Sequence, residues 1–269
     1  MIGGIVMFSR KKRAEKRPDY NNKLLDQNTP FAITEAFKML RTNLHYTSKN
    51  EACPVFAITS AYAHAGKSII IANTALSYAQ LDKKVLLIDA DMRCPVINKI
   101  FCKKSLNGLS DFLASSGTDA SGYGEFLTET GIRGLDIMTS GRIPPNPSEL
   151  LASPRLKSLL DEAKKTYDYI FIDLPPVCEV SDAGVLANNV TGYIFAVRSG
   201  ATDSRAVADA LESLKQKDAN VVGFVLNDVN LKTNGKYYKY GKYGKYVKYG
   251  KYAYARNYAN AKAEQDEEK

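Results

Sequence analysis

A chain of 269 residues with 45% hydrophobic content is long enough to bury a sizeable core, which excludes a wholly disordered protein. Four cysteines without paired ligand spacing and only two histidines argue against a disulfide framework or a zinc site, and indicate the cytoplasm. The formal charge of +8 belongs to the two ends, because residues 18–228 carry a net charge of −3. This distribution argues against a basic groove on the body of the chain and places any attraction to nucleic acid or membrane at the ends.

Residues 1–30 form a basic N-terminal segment. Eight apolar residues, MIGGIVMF, precede SRKKRAEKR. This run is too short to cross a bilayer, and it lacks the basic-then-apolar order of a signal peptide. Two interpretations stay open. The start is ragged, with translation beginning at Met7, or the segment is held near anionic lipid, where each cation contributes about 1 kcal/mol.

A folded domain over residues 31–228 is predicted to begin with an amphipathic helix. In TEAFKMLRTNL the apolar side chains recur at helical spacing, so one stripe should be buried. The charged side chains share a separate arc, which is either a solvated face or a contact between subunits. The apolar stripe comprises Phe37, Leu40 and Leu44, and the charged arc comprises Glu35, Lys38 and Arg41.

Short apolar runs alternate with segments of helical spacing through the rest of this domain. The pattern predicts an α/β fold, a mostly parallel sheet with helices on both faces and a ligand site at the carboxyl ends of the strands. Asn146 is the expected cap of one helix, with Pro147 in its first position. The predicted strands are VFAIT at 55, VLLID at 85, LDIMTS at 135, YIFID at 169, GYIFAV at 192 and VVGFVLN at 221. The predicted helices are 67–80, 148–165 and 203–217.

The loop after the first strand ends in Gly-Lys-Ser and then enters a helix. The tripeptide alone arises often by chance, but its place between a strand and a helix is informative. Backbone N–H groups there converge on an anion, Lys67 can reach outer phosphates, and Ser68 can bind Mg²⁺. We therefore predict a nucleotide phosphate site, rather than an ordinary turn, formed by Ala65, Gly66, Lys67, Ser68 and Ile69.

Three aspartates end two of the predicted strands. Asp89 and Asp91 are two residues apart and therefore lie on one side of the chain, and Asp173 ends YIFID. An aspartate in such a place often only caps a turn or a helix. Three of them beside a Gly-Lys-Ser loop are better explained, together with Ser68, as ligands of hydrated Mg²⁺ and as an orienting base.

Residues 229–269 are predicted to be a disordered Lys/Tyr-rich tail with an acidic end. Lys-Tyr pairs recur every three residues from Lys236 to Tyr252, a period that suits neither a helix nor a strand. With almost no aliphatic side chains, the segment cannot offset its chain entropy by burial. Nine of the 17 tyrosines lie in this tail: Tyr237, Tyr238, Tyr240, Tyr243, Tyr246, Tyr249, Tyr252, Tyr254 and Tyr258.

Taken together, these motifs resemble the bacterial tyrosine kinases of the BY-kinase family, which are P-loop enzymes associated with capsule and exopolysaccharide production. The resemblance runs from about Thr34 to Asn227, through EAFKMLRTNL, the GKS loop, LLIDADMRCP, SGRIPPNPSELL and FIDLPP, and includes the tyrosine-rich tail. It implies a P-loop NTPase-like fold that binds ATP and Mg²⁺. Lys67 would position the outer phosphates, Asp89 would accept the tyrosine proton, Asp91 and Asp173 would serve the metal and its waters, and Asn227 would contact the adenine.

The resemblance also implies partners. Members of this family phosphorylate their own tail tyrosines in a neighbour's active site, within a ring whose contacts use a Glu-x-x-Arg-x-x-Arg helix, matched here by Glu35, Lys38 and Arg41. They are fused to a membrane segment or depend on a separate transmembrane activator, and this chain resembles the split form. We therefore expect a transmembrane polysaccharide co-polymerase and a tyrosine phosphatase as partners at the inner face of the plasma membrane, and no nucleic acid.

The sequence departs from the family pattern at two places. Lys38 replaces the first arginine of the helix motif, and a lysine does not supply the same bidentate contact. Ala63 and His64 stand where the family usually has Pro-Gly. A β-carbon at position 64 adds strain of about 1–3 kcal/mol if the backbone keeps a positive φ there. His64 either donates to a phosphate or is a solvent-facing substitution.

Three other functions compete with a tyrosine kinase. Division and partitioning ATPases carry a signature lysine five residues before the P-loop lysine, and Tyr62 at that position argues against them. A nucleic-acid-binding protein would use the tail, in which lysines pair with phosphates and tyrosines stack on single-stranded bases. A regulatory pseudokinase is suggested only by His64.

Overall fold

A seven-stranded sheet organises the residues described by the computed structural model, which are 24–105, 107–115, 117 and 119–229. Its strands are β1 (Val55–Ser60), β2 (Val85–Asp89), β3 (Thr128–Glu129), β4 (Leu135–Met138), β5 (Tyr169–Asp173), β6 (Gly192–Arg198) and β7 (Val221–Asn227). They lie in the order β3-β4-β2-β5-β1-β6-β7, and every adjacent pair is parallel except β3 and β4. The α/β class and all six predicted strands are confirmed.

Helices connect the parallel strands and cover the sheet. They are α1 (Phe31–Thr47), α2 (Lys67–Ala79), α3 (Ile97–Ile100), α4 (Leu109–Ala114), α5 (Pro147–Leu151), α6 (Pro154–Ala163), α7 (Asp182–Val185) and α8 (Ser204–Lys215). In the part of the chain that the structure describes, no helix is both long and apolar enough to span a bilayer.

The single helix predicted over 148–165 is wrong, because the chain forms α5 and α6 with a break between them. Pro154 starts the second helix, since a proline has no N–H to continue the first and its ring clashes with the preceding turn. The predicted cap position is confirmed, since Asn146 is the N-cap of α5 and Pro147 follows it in the first turn. The Asn146 side chain does not cap the backbone, because its amide donates to the Glu149 carboxylate.

The core consists of two apolar layers, one on each face of the sheet. Successive side chains of the central strands alternate between them: Phe56 and Phe171 pack under α2, whereas Ala57 and Ile172 face the layer that includes α6 and α8. Strands β1, β2 and β5 are buried along their whole length. This double burial explains why these strands are continuous apolar runs in the sequence.

The first helix packs on α2 through the predicted apolar stripe. Leu44 is buried, and Phe37 and Leu40 pack against the same layer. On the charged arc, Lys38 donates to Glu35 at 2.8 Å, and Arg41 donates from Nη1 to the Ser77 carbonyl oxygen of α2 at 2.5 Å. Arg41 therefore helps to hold α1 in place within the subunit, while Glu35 and Lys38 form an exposed pair.

Replacing Phe171 with alanine should lower the free energy of unfolding by about 3 kcal/mol or more, because the change opens a cavity between α2 and the sheet. Phe171 is fully buried and lies against Phe56 and Tyr78. Phe224→Ala on the edge strand is the matched control, since Phe224 is 57% exposed, and it should cost about 1 kcal/mol or less. Urea denaturation of both variants measures the difference, and equal losses would contradict the two-layer description.

Candidate active site

The predicted site residues meet at the carboxyl edge of the sheet. Strands β2, β5 and β1 are parallel neighbours, and Asp89 pairs in register with Asp173 across the β2–β5 ladder. The loop after β1 carries Gly-Lys-Ser and leads directly into α2. Because parallel strands end at the same edge, the segments that follow β1, β2 and β5 lie next to one another there, as expected.

The Gly-Lys-Ser loop turns into α2 through a left-handed glycine. Gly66 has a φ of 88°, and a β-carbon at this position would lie 2.1 Å from the side-chain nitrogen of Asn227. That amide donates to the Ala65 carbonyl oxygen at 3.0 Å. Asn227, expected at the adenine, therefore supports the loop that precedes α2. No side chain caps the N-terminus of α2, so its first N–H groups remain available to an anion.

Lys67 lies buried among the strand-end carboxylates. Its Nζ donates to Asp91 Oδ2 at 2.9 Å and lies 4.0 Å from Asp173 Oδ1. Burial opposes the charged ammonium, but the carboxylates of Asp173 and Asp91 outweigh it and raise the pKa of Lys67. Lys67 therefore carries a positive charge, which the fold places at the N-terminus of α2.

Asp89 organises the loop that follows β2. Its Oδ2 accepts hydrogen bonds from the N–H groups of Val96 at 3.2 Å and Ile97 at 3.0 Å, and Asp91 N–H donates to Oδ1 at 3.3 Å. Asp89 is fully buried. Burial, reinforced by the nearby Asp173 carboxylate, raises the pKa of Asp89 well above its ordinary value. A carboxyl group in such surroundings accepts a proton readily.

Asp173 fits a metal ligand better than a structural residue. It is fully buried, and neither of its carboxylate oxygens has a hydrogen-bond partner of good distance and angle among the described residues, although Lys67 Nζ lies 4.0 Å from Oδ1 and the nearby Ser68 hydroxyl lowers the pKa of the carboxyl. Burial raises the pKa of Asp173 to about 6, and the Lys67 ammonium opposes that rise. Two buried carboxylate oxygens without a good hydrogen-bond donor are costly unless a ligand binds them.

No set of three or more His, Cys, Asp or Glu side chains within the described residues forms a complete coordination shell for a metal ion. Mg²⁺ usually does without one, because nucleotide phosphates and water complete its shell.

The loop between β1 and α2 is strained at His64, where φ is +63°. The condition under which a β-carbon at position 64 adds strain, a positive φ, is therefore met. The neighbouring Ala63 N–H donates to the Glu179 carboxylate at 2.8 Å, which ties this loop to the segment after β5. This contact could not be predicted from the sequence, since Glu179 belongs to no motif and lies 116 residues from Ala63.

A cavity of about 970 Å³ adjoins the loop on the side of α1 and β7. Ile69 and Asn227 line it, together with Leu25, Phe37 and Asn73. Ile69 and Asn227, two of the three predicted nucleotide contacts outside the Gly-Lys-Ser tripeptide, therefore line one mostly apolar cavity. The nine tail tyrosines and residues 1–23 lie outside the described residues.

Comparison with known proteins agrees with this geometry. Residues 55–191 match a family model described as an AAA domain. The chain is 36% identical over 204 residues to the tyrosine-protein kinase YwqD of Bacillus subtilis, covering 76% of this chain and 84% of that protein. It is also 36% identical over 197 residues to the tyrosine-protein kinase CpsD of Streptococcus agalactiae, covering 73% and 82%.

Solved structures give the same result. The kinase domain of the Escherichia coli tyrosine kinase ETK superposes with a TM-score of 0.67 at 34% identity, covering 72% of this chain and 75% of that domain. The identity and coverage of these relatives exceed what a shared fold alone would require. This chain belongs to the family of bacterial tyrosine-protein kinases.

Proposed function

We propose that this protein is an ATP-dependent tyrosine autokinase that phosphorylates the tail tyrosines of a neighbouring copy. The observation that carries the proposal is the contact of Lys67 with Asp91 and Asp173 at the start of α2, with Asp89 next to Asp173 in the sheet. Family membership supplies the reaction, and the tail supplies nine tyrosines next to a cluster of lysines. The ATPase alternative is less well supported, because the relatives are tyrosine kinases and Tyr62 occupies the signature lysine position.

We expect the N-terminus of α2 to bind the phosphates. Its free N–H groups and the Lys67 ammonium would hold the outer phosphates, with Lys67 exchanging its contact with Asp91 for one with phosphate. Asp173 and the Ser68 hydroxyl would hold Mg²⁺, with Asp91 binding its waters. When bound, the metal neutralises charge that develops on the transferring phosphoryl group. Ile69, Asn227 and the adjoining cavity would receive the nucleoside.

We expect Asp89 to accept the proton of the tyrosine hydroxyl. As the tyrosine oxygen bonds to the γ-phosphorus and the bond to the leaving ADP oxygen breaks, the phenol must lose its proton. The raised pKa of Asp89 makes this carboxylate a stronger base than an exposed aspartate. Because Asp89 is fully buried, the β2–α3 loop must open far enough to admit the phenol.

The proposed setting is control of capsular or exopolysaccharide synthesis at the inner face of the plasma membrane. We expect a ring of subunits that contact one another through Glu35 and Lys38, with Arg41 between that surface and α2. A transmembrane co-polymerase would act as activator, and a tyrosine phosphatase would reverse the reaction. Co-purification with the activator's cytoplasmic segment tests this setting. A protein that stays monomeric and does not bind the segment would argue against it.

Lys67→Met and Asp89→Asn should each abolish tail phosphorylation, because one removes the phosphate-binding charge and the other the proton acceptor. Lys83→Met is the matched control, since Lys83 is exposed in the turn before β2, at the opposite edge of the sheet. Phosphotyrosine mass spectrometry of the expressed proteins provides the measurement. Undiminished phosphorylation in either site variant would refute the assignment.

His64→Gly should raise both ATP affinity and stability. The β-carbon at this left-handed position adds strain of about 1–3 kcal/mol, which the variant removes. The greater flexibility of glycine in the unfolded chain offsets about 0.5–1 kcal/mol of that gain, so a net stabilisation of up to about 2 kcal/mol is expected. Removing the β-carbon also lets phosphate approach the backbone more closely. Calorimetry with ATP and thermal unfolding separate the two effects. Weaker ATP binding by the variant would show that the imidazole contributes to the site.

Asp173→Asn should stabilise the nucleotide-free protein at pH 7.5 more than at pH 5. The pKa of Asp173 rises from 3.8 to about 6 on folding, so the stability contributed by its protonated form is lost as the pH rises through 6. The corresponding free energy is at most about 3 kcal/mol. Thermal unfolding at the two pH values measures the effect, and MgADP binding should weaken in the same variant. Equal destabilisation at both pH values would mean that Asp173 serves the fold.

A further inference from the structure

A fork of hydrogen bonds between Arg93 and the buried carboxylate of Asp182 joins the β2–α3 loop to two other segments. Arg93 lies two residues after Asp91. Its Nε donates to Asp182 Oδ2 at 3.0 Å, and its Nη2 donates to Asp182 Oδ1 at 3.2 Å and to Ser148 Oγ at 3.3 Å. The Ser148 hydroxyl also donates to Asp182 Oδ1. Asp182 is fully buried, whereas the Arg93 side chain is 41% exposed. One carboxylate therefore accepts three hydrogen bonds, two of them from one guanidinium.

This fork stands next to the carboxylates of the active site. Asp91 Oδ1 accepts from the N–H of Cys94 at 3.0 Å, while Asp91 Oδ2 accepts from Lys67. Arg93 is thus part of the short turn that closes on Asp91. Asp182 begins α7 and Ser148 lies in α5, so the contact of Arg93 with both fixes the outer side of this turn against two helices.

We propose that Asp182 is a positioning residue for the metal–nucleotide site, acting through Arg93 on the orientation of Asp91. The inference rests on the proposed function, because it needs Asp91 to serve the metal. Side chains that orient a metal-binding group commonly change metal affinity 10- to 100-fold when they are replaced. A bidentate arginine fixes both the position and the rotation of the group that carries it, which a lysine does not.

The chain offers a matched pair that lacks this connection. Arg142, in the loop after β4, donates from Nε to Asp111 Oδ1 at 2.5 Å and from its backbone N–H to Asp111 Oδ2 at 3.2 Å. The Asp111 side chain is 7% exposed, so this carboxylate is almost as buried as Asp182. The pair lies at the same edge of the sheet, but its hydrogen bonds reach none of the site aspartates. It therefore controls for the general loss of a partly buried arginine–aspartate contact.

The test compares Arg93→Lys with Arg142→Lys in the full chain. ADP binding is measured by calorimetry over a series of MgCl₂ concentrations and in EDTA. Arg93→Lys should raise the Mg²⁺ concentration for half-maximal enhancement of ADP affinity about tenfold, with ADP affinity in EDTA unchanged. Arg142→Lys should leave both unchanged. The same Mg²⁺ dependence in the two variants would overturn the proposal.

A double-mutant cycle shows whether Asp182 acts through Arg93. Asp182→Asn keeps the shape of the side chain and should resemble Arg93→Lys, and the double variant should be no worse than either single one. Additive effects would overturn the proposal. If Asp182→Asn does not fold, Ser148→Ala replaces it in the cycle, with a smaller effect expected. If the wild-type protein does not bind MgADP, the proposed function is refuted. The comparison of Arg93→Lys with Arg142→Lys tests this inference alone.

Discussion

The burial of one lysine among three aspartates is the constraint on which the site depends. Lys67 is held at the start of α2 by Asp91 and Asp173, and Asp89 lies next to Asp173 in the sheet. With all four groups ionised, one cation would face three anions out of contact with water. The protein instead raises the pKa of Asp89 and of Asp173 by burial and proximity. The parallel pairing of β2 and β5 makes this crowding unavoidable, because Asp89 and Asp173 end these strands at the same edge and Asp91 follows β2 by two residues.

Much of this arrangement could be predicted from the sequence, because its causes are local. Strands buried on both faces are continuous apolar runs, and a glycine before a lysine marks the left-handed entry into α2. Once the sheet is parallel, the positions of Asp89 and Asp173 follow from the ends of their strands. The two-residue strand β3 was missed, because two residues leave no periodicity to detect.

The contacts that escaped prediction join residues far apart in the chain. Asn227 supports Ala65 across 162 residues, Glu179 accepts from Ala63 across 116, and Arg93 meets Asp182 across 89. None of these pairs has a signature in spacing or composition, because each depends on how loops pack after the sheet has formed. The exposed arc of α1 shows the same limit, since helical periodicity placed Arg41 with Glu35 and Lys38 but did not show its bond to Ser77.

Contacts between residues far apart in the chain make the site rigid, and the cluster of buried charges favours the binding of a metal ion and phosphate. Glu179 and Asn227 hold the loop before α2, and the Arg93 fork holds the turn around Asp91, so the groups that would meet the nucleotide are preorganised. Val96 and Ile97, which cover Asp89, lie outside the contacts of the fork. The orphaned oxygens of Asp173 and the shared ammonium of Lys67 are unfavourable in the ligand-free protein. A divalent cation would satisfy those oxygens and offset the excess negative charge, while phosphate would take over the ammonium. Burial of these charges therefore lowers the stability of the fold and favours binding of the metal and the nucleotide together, since each of them balances a charge that the other does not.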